Sequence, residues 1–263
     1  MKYGFIGCGN MGGALAKALA GKTKDILLAD ADRARAEALA ETLGCKAGTN
    51  EQVFTSCERV FLAVKPQMMA DMLKTAQKTI SERQDLTLIT IAAGLTMEKI
   101  EQMAGKAYPV IRLMPNTPVA LGQGVVMYCR NSRVSDAVIE DFLRDMACVG
   151  LMDEIPEKLI DAGCALSGCG PAYVYEFIEA LADGAVACGL PRQKATRYAA
   201  MTLVGAAEMV LESGKHPGQL KDEVCSPGGS TIQGVRALEE HGFRAAAIDA
   251  VIKAYEKNVE LGK

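Results

Sequence analysis

The chain has 263 residues and a net charge of -3, from 29 basic and 32 acidic side chains. This length allows two modest domains with separate cores, and the charge balance provides no basic surface for nucleic acid or an anionic membrane. No apolar stretch is long enough to cross a membrane, and Met1-Lys2 leads directly into an apolar run instead of a signal peptide. We expect a cytoplasmic protein whose partner is a small molecule or another protein chain.

Strands and helices alternate through the first half of the chain. Apolar runs predict strands at residues 2–6, 25–29, 58–64, 85–91, 106–114 and 124–130. Helical periodicity lies between them, at residues 10–19, 33–43, 66–80 and 135–147. Repeated alternation of this kind is typical of an α/β domain with a doubly wound parallel sheet, covered by helices on both faces.

The pattern changes near Glu157, where β-branched runs give way to alanine-rich helical segments. We predict helices at residues 171–188, from Pro191 to a stop at Gly214, and at 229–240 and 243–261. The predicted domains are therefore residues 1–156 and an all-α domain at 157–263. Apolar groups on more than one helix face suggest subunit pairing, and a compact monomeric bundle is the alternative.

The nine cysteines form no CxxC pair, and their odd number argues against a disulfide framework. We expect reduced, mostly buried thiols that pack as small apolar groups. The chain has two histidines, His216 and His241, and neither lies near paired cysteines. We therefore expect no metal site, and we assign both histidines structural roles.

A glycine-rich segment, GFIGCGNMGG, joins the first predicted strand to the first helix. Gly7 would permit the tight turn, Gly9 would let a pyrophosphate approach the backbone, and Gly12 would let helix and strand pack closely. Free N–H groups at the helix start would face the phosphates. A glycine-rich turn without a ligand is the alternative.

Three further segments follow predicted strands, at the end where open α/β sheets bind ligands. They are Ala63-Val64-Lys65-Pro66, Ala92-Ala93-Gly94, and the segment from Arg112 to Pro118 that contains Asn116. Lys65 interrupts an apolar strand end beside a proline, so we expect its ammonium group to point into the ligand crevice.

The second half contains a turn with the sequence SPGGST at residues 226–231. Backbone N–H groups of Gly229, Ser230 and Thr231 at a helix start would form an anion site suited to a carboxylate. The alternative is an ordinary helix start, with Ser226 as N-cap and Pro227 as the first helical residue.

Five segments in series resemble the Δ1-pyrroline-5-carboxylate reductase family of proline biosynthesis. They are GFIGCGNMGG, AVKPQ, RLMPNTP, SGCGPAY and VCSPGGSTIQGVRALE, and they cover the chain in the family's order. The resemblance implies a Rossmann-like N-terminal domain and an all-α C-terminal domain that dimerises, often within a ring of dimers. It also implies reduction of a cyclic imine to L-proline with NADPH or NADH, at a site between the nucleotide domain and the helical dimer layer.

The resemblance also assigns residues to the cofactor and the substrate. The pyrophosphate would contact Ile6, Gly7, Cys8, Gly9, Asn10 and Met11, with Gly12 behind them. Asn50 would contact a ribose, and Ala63, Val64, Lys65, Pro66, Ala92 and Ala93 the nicotinamide half, while Asn116 is also assigned to the cofactor. Gly229, Ser230 and Thr231 would hold the substrate, with the Thr231 hydroxyl near the ring nitrogen as the catalytic group. Cys169 and Ser230 depart from the family's usual residues, serine at the first position and threonine or alanine at the second.

The choice of dinucleotide depends on the turn after the second predicted strand. Asp30 and Ala31 follow that strand, and an acidic residue there is the usual partner of a free ribose 2′-hydroxyl. We expect usable NADH, and a preference for NADPH stays open because Arg33 or Arg35 could offset repulsion of a 2′-phosphate. Alternatively, Asp30 or Asp32 only caps the next helix.

Two other functions fit parts of the pattern. A β-hydroxyacid dehydrogenase would need a catalytic lysine in a second-domain helix near a Gly-rich turn, and Lys158 and Lys194 are not so placed. A protein that senses a dinucleotide without turnover would not need the second anion site at residues 226–231.

Overall fold

The computed structural model describes residues 1–261, and their contacts form two compact units. The first unit contains Met1–Cys169 and the C-terminal residues from Ala254 onward. The second unit is Gly170–Lys253. Residues 262 and 263, the last two of the predicted second domain, lie outside the described residues.

Within the described residues, the first unit is built on an eight-stranded sheet with the order β3-β2-β1-β4-β5-β6-β7-β8. The strands are β1 (Tyr3–Ile6), β2 (Ile26–Ala29), β3 (Lys46–Ala47), β4 (Arg59–Leu62), β5 (Thr87–Thr90), β6 (Val110–Met114), β7 (Gly124–Arg130) and β8 (Gly150–Glu154). The reversal of strand order at β1 and β4 is the arrangement of a doubly wound, Rossmann-like sheet.

Helices cover both faces of this sheet, as the alternating pattern predicted. They are α1 (Asn10–Ala20), α2 (Arg33–Leu43), α3 (Asn50–Ser56), α4 (Pro66–Ser81), α5 (Met97–Ala104), α6 (Asp136–Met146) and α7 (Ile160–Gly163). Alternate strand residues enter two separate cores: Phe5 and Phe61 stack on the α1 and α6 side, whereas Ile6 and Leu62 pack on the α3, α4 and α5 side.

The sheet is parallel, as predicted, except at one pair. Strands β6 and β7 are antiparallel, with Arg112 opposite Cys129. The chain between them contains a short 3-10 turn, Thr117–Leu121, and this connection is too short for the crossover that parallel neighbours require. The predicted strand at residues 106–114 begins only at Val110, after Pro109, whose nitrogen has no proton to donate to a neighbouring strand.

The structure groups residues 157–169 with the first unit, whereas the sequence placed them in the second domain. Buried Arg112 forms ion pairs with Glu157 at 3.1 Å and Asp161 at 3.5 Å. Ile160 and Cys164 pack in one apolar cluster with Met114. These contacts attach the segment to the sheet, and a boundary between residues 156 and 157 stays a prediction.

The second unit is all-helical, as predicted. Its helices are α8 (Gly170–Ala187), α9 (Arg192–Ser213), α10 (Pro217–Val224) and α11 (Ser230–Glu240), with the first part of α12 (Phe243–Leu261). Pro191 precedes α9 as its N-cap and is not its first helical residue. No helix in the described part of the chain is long and apolar enough to cross a membrane.

The cysteines are less buried than expected. All nine lie within the described residues and carry free thiols. Four are buried, namely Cys8, Cys57, Cys129 and Cys164, and Cys188 is exposed. Burial raises the pKa of the Cys8 thiol to about 12 and that of Cys164 to about 11, so both are held as neutral apolar groups.

Candidate active site

The candidate cofactor site lies at the carboxyl ends of β1 and β4, the neighbouring strands at which the sheet order reverses. The Gly7 N–H donates to the Ala29 carbonyl at 2.8 Å, and the Ala63 N–H donates to the Ile6 carbonyl at 2.8 Å. The glycine-rich loop and the loop after β4 are therefore extensions of paired strands. In open α/β sheets, ligands bind in the crevice formed at this position.

Glycine is required at two positions of the loop by close backbone contacts. Gly7 has φ +105°, and a Cβ there would lie 2.4 Å from the Ala63 carbonyl oxygen. A Cβ at Gly12 would lie 2.2 Å from the Gly7 carbonyl oxygen and 2.9 Å from the Ala63 Cβ. These contacts match the roles that the sequence predicted for the two glycines, a tight turn and close packing of helix on strand.

Gly9 faces open space. A Cβ built at Gly9 meets no atom within 4 Å among the described residues. Gly9 is also the N-cap of α1, and no described side chain caps the helix there. The first turn of α1, beginning with Asn10 and Met11, thus presents backbone N–H groups and the positive end of the helix dipole to a cradle of phosphate size.

Cys8 departs from the predicted arrangement. Its backbone N–H donates to the Asp30 carboxylate at 2.7 Å, and its side chain is buried. This N–H is therefore already paired within the protein. The predicted contact of Cys8 with a pyrophosphate stays a prediction, and in this geometry the residue anchors the loop to the end of β2.

A cleft of about 870 Å³ extends from the glycine loop along α3 and α4. Of the predicted cofactor residues it is lined by Ile6, Gly7, Gly9, Asp30, Ala31, Asn50, Ala63, Val64 and Lys65. Lys65 is exposed and precedes Pro66, the first residue of α4. The cleft is large enough for an extended ligand, and the glycine cradle at its end fits a dinucleotide pyrophosphate.

Eight predicted cofactor residues lie outside the lining of this cleft, namely Cys8, Asn10, Met11, Gly12, Pro66, Ala92, Ala93 and Asn116. Ala92 is buried after β5 and its N–H donates to the Thr90 hydroxyl at 3.3 Å, whereas Ala93 is exposed. Asn116 is buried, its amide nitrogen donates to the Ser167 carbonyl at 3.0 Å, and its oxygen accepts from the Val125 N–H at 2.9 Å. In this geometry Asn116 joins β7 to the helical segment that contains Ser167, and its assignment to the cofactor stays a prediction.

Apart from Asp32 and Arg35, sequence reasoning missed the outer wall of the cleft. That wall contains Asp32, Arg35, Glu51, Phe54, Gln67, Met68, Asp71, Met72, Thr75, Ala76 and Thr79. The members from α4 recur at intervals of three and four residues, and Gln67, Asp71 and Thr75 among them are exposed and polar, which is typical of an ordinary solvent-facing helix surface. Met68 on the same face is 47% exposed.

The turn at residues 226–231 has the geometry of an open helix start. α11 begins at Ser230, its N-cap is Gly229, and no described side chain caps it. Ser226 accepts the Gly229 N–H through its carbonyl at 3.0 Å. The alternative start, with Ser226 as N-cap and Pro227 as the first helical residue, was wrong because both precede the helix by a full turn.

Both histidines bind backbone groups, in agreement with structural roles. His216 is the N-cap of α10, and its Nδ1 accepts the Gly218 N–H at 3.0 Å. His241 follows α11, and its Nδ1 lies 2.8 Å from the Ala237 carbonyl oxygen.

Comparison with known proteins gives one consistent group of relatives. The protein family described as "Pyrroline-5-carboxylate reductase dimerisation" matches residues 157–261, and that described as "NADP oxidoreductase coenzyme F420-dependent" matches residues 2–94. The pyrroline-5-carboxylate reductase of Escherichia coli K12 is 41% identical over 267 aligned residues, covering 100% of this chain and 98% of that relative. The enzyme of the same name from Methanosarcina acetivorans is 39% identical with the same coverage. The crystal structure of Plasmodium falciparum pyrroline carboxylate reductase with NADP bound has a TM-score of 0.90 at 34% identity, covering 100% of this chain and 98% of that chain.

Proposed function

The chain belongs to the pyrroline-5-carboxylate reductase family, and from that premise we propose that it reduces Δ1-pyrroline-5-carboxylate to L-proline with NADPH or NADH. The observation that carries the proposal is the presence of two separate anion sites. The first unit has a dinucleotide cradle at Gly9, and the second has an uncapped helix start at Gly229. A reductase of an imine that carries a carboxylate requires both.

The first unit binds the reductant. Gly9 and the first turn of α1 hold the pyrophosphate, Asn50 contacts a ribose, and the loop containing Lys65 adjoins the nicotinamide half. The bound nicotinamide supplies the hydride that adds to C5 of the imine. The protein contributes binding, orientation and exclusion of competing geometries.

The second unit holds the substrate carboxylate. Backbone N–H groups at Ser230 and Thr231 donate to it, and the dipole of α11 favours its negative charge. The Gly229 N–H is bound to the Ser226 carbonyl, so Gly229 contributes to the site as the N-cap of α11. Ser230 and Thr231 are both exposed, so their side chains are accessible to a small ligand.

Thr231 acts at the ring nitrogen. A protonated imine accepts hydride far better than a neutral one, so the site binds the iminium form and forms a hydrogen bond at its nitrogen through the Thr231 hydroxyl. Solvent supplies the proton. This arrangement needs no imidazole acid, in agreement with the backbone contacts of His216 and His241.

The match to a dimerisation family makes the chain a homo-oligomer. We propose that it forms dimers that assemble further, as the family resemblance implies. The cytoplasm is the proposed location, since nine free thiols suit a reducing compartment.

Steady-state kinetics of Thr231→Ala test the assigned role. Loss of the hydroxyl removes one hydrogen bond made in the transition state, so kcat/KM falls by about tenfold or more. Thr231→Ser keeps the hydroxyl and retains most of the activity. Oxidation of a proline analogue with NAD(P)+ at high pH gives the same order of activity, with wild type and Thr231→Ser above Thr231→Ala. Unchanged turnover and substrate affinity in Thr231→Ala would contradict the role.

A further inference from the structure

Three charged side chains, from the turn after β2 and the first turn of α2, lie together at the cleft. Asp30, Asp32 and Arg35 all line it, with exposed Ala31 between the two acids. The sequence suggested that Asp30 alone receives a ribose hydroxyl. In the structure, the Asp30 carboxylate accepts hydrogen bonds from the protein backbone. The choice between NADH and NADPH is therefore argued from the neighbouring residues.

The Asp30 carboxylate is already in use. One oxygen accepts the Cys8 N–H at 2.7 Å, and the other accepts the Asp32 N–H at 2.9 Å. Only 9% of its side chain is exposed. Asp30 therefore ties the glycine-rich loop to β2 and adds a fixed negative charge beneath the turn.

Arg35 is held between the two acids. Its guanidinium lies 3.6 Å from the Asp30 carboxylate and 3.4 Å from the Asp32 carboxylate. Asp32 also caps α2, since its side chain accepts the Arg35 N–H at 3.3 Å. The nearby Arg33 is paired with Glu37 at 2.7 Å, so each of the two arginines in this segment has a carboxylate partner.

We propose that Asp32, through its hold on Arg35, sets the cofactor preference and makes the chain favour NADH over NADPH. The inference deepens the proposed function and rests on it. Two carboxylates and one guanidinium leave the turn net negative. A 2′-phosphate adds close to two further negative charges and competes with Asp32 for the Arg35 guanidinium. A free 2′-hydroxyl brings no charge and leaves the pair intact.

Binding measurements without substrate test the proposal. NADH and NADPH are titrated by calorimetry into the wild type and Asp32→Asn, together with 5′-AMP and 2′,5′-ADP as adenosine fragments. The wild type binds NADH more tightly by about tenfold or more, and the fragments follow the same order. In Asp32→Asn the side-chain amide still caps α2, Arg35 keeps only its longer contact of 3.6 Å with Asp30, and the NADH preference falls by about tenfold.

Two further variants separate this effect from a general change in charge. Arg33→Gln removes a nearby positive charge that is paired elsewhere, and it leaves the ratio of the two affinities within about twofold of wild type, because this charge is exposed and screened. Asp32→Asn with Arg35→Gln loses the gain in NADPH affinity. Tighter NADPH binding by the wild type, or an unchanged ratio in Asp32→Asn, would overturn the proposal. Since no turnover is needed, a chain that shows this preference but does not reduce the imine contradicts the proposed function alone.

Discussion

At the scale of single residues, two glycines of the cofactor loop, Gly12 and Gly9, are in different surroundings. Gly12 is needed for packing, because a Cβ would lie 2.2 Å from the Gly7 carbonyl oxygen. Gly9 has no such packing requirement, because its Cβ position is empty of described atoms and its φ of -69° suits any residue, and we therefore attribute the glycine to the ligand. Substitutions at the two positions should therefore fail for different reasons.

Gly9→Ala is expected to weaken dinucleotide binding with little loss of stability. The methyl group occupies the approach of the pyrophosphate, so Kd rises by about tenfold or more, while the free energy of unfolding falls by no more than about 1 kcal/mol. Calorimetric titration and urea unfolding measure the two quantities. Gly13→Ala is the matched control, since its Cβ makes an ordinary contact 3.4 Å from the Cys8 oxygen. Equal dinucleotide affinities in wild type and Gly9→Ala would contradict a pyrophosphate-binding role for Gly9.

The same residues mark the limit of sequence reasoning. The roles of Gly7, Gly9 and Gly12 follow from a spacing that fixes local geometry. The partners of Asp30 and Asn116 do not, because a hydrogen bond from Cys8 to Asp30 or from Asn116 to Ser167 depends on segments that meet only after folding.

At the scale of elements, β1, β4 and α6 are joined by a charged network at the end of the sheet opposite the cofactor loop. Asp141 accepts from Arg59 at 2.7 Å and Lys2 at 3.0 Å, and Asp145 accepts from the Tyr3 hydroxyl at 2.7 Å. The hydrogen bond from Lys2, with that from Arg59, lowers the pKa of Asp141 below its ordinary 3.8 despite partial burial. Burial alone would raise the pKa of Asp145, but Lys2 and Tyr3 outweigh it and lower that pKa as well.

Stability should therefore fall on acidification. Because the folded pKa of Asp141 lies below its unfolded value, its contribution is present above 3.8 and is lost as pH falls through the folded value. Urea unfolding of Asp141→Asn at neutral pH should show a loss of about 1–3 kcal/mol, and the difference from wild type should shrink below the ordinary pKa. Asp153→Asn, at an exposed position on β8, should change stability by less than about 0.5 kcal/mol. An equal difference in unfolding free energy between wild type and Asp141→Asn at neutral pH and below pH 3.8 would contradict the assigned role of Asp141.

Long elements were predictable and short ones were not. The helix predicted at residues 33–43 and the strand at 124–130 match α2 and β7, because their apolar periodicity persists over many residues. β3 has two residues, and α3 has seven. The sequence signal for α3 is the spacing of Thr49 and Gln52, which form a capping box at its start.

At the scale of the whole molecule, the second unit lacks an adequate core of its own. Its buried apolar cluster, within the described residues, consists of Ala182, Ala195 and Ala199. Large apolar side chains along α9 are exposed instead, among them Tyr198 at 54%, Met201 at 61% and Val204 at 49%. Even with Ile178, Ala185, Val186 and Leu190 packed against it, this cluster is small, so we expect this helix face to be buried by another copy of the chain.

Met201→Glu should therefore disrupt assembly. A carboxylate placed in an apolar interface is costly to desolvate, so the dimer should dissociate or its Kd should rise by about 100-fold or more. Light scattering over a concentration series measures the change. Ala38→Glu introduces the same group on the exposed face of α2 and should leave the mass unchanged. An unaltered dimer in Met201→Glu would exclude this face as the interface.

The division between the two halves could be predicted from the sequence, because alternating strand and helix patterns give way to alanine-rich helical patterns. The antiparallel pairing of β6 and β7 could not be predicted, because it depends on the short connection between them. The attachment of residues 157–169 to the sheet could not be predicted either, because it depends on buried Arg112, which pairs across 45 and 49 residues of sequence.

Isotope transfer tests the central claim most directly. Purified protein is incubated with Δ1-pyrroline-5-carboxylate and NADH or NADPH carrying deuterium at the transferable nicotinamide position, and the product is examined by mass spectrometry and NMR. The account predicts L-proline with one deuterium at C5 for each cofactor oxidised, and a several-fold slower label transfer in Gly9→Ala at cofactor concentrations near the wild-type Kd. Cofactor oxidation without proline, or proline labelled at another carbon, would contradict it.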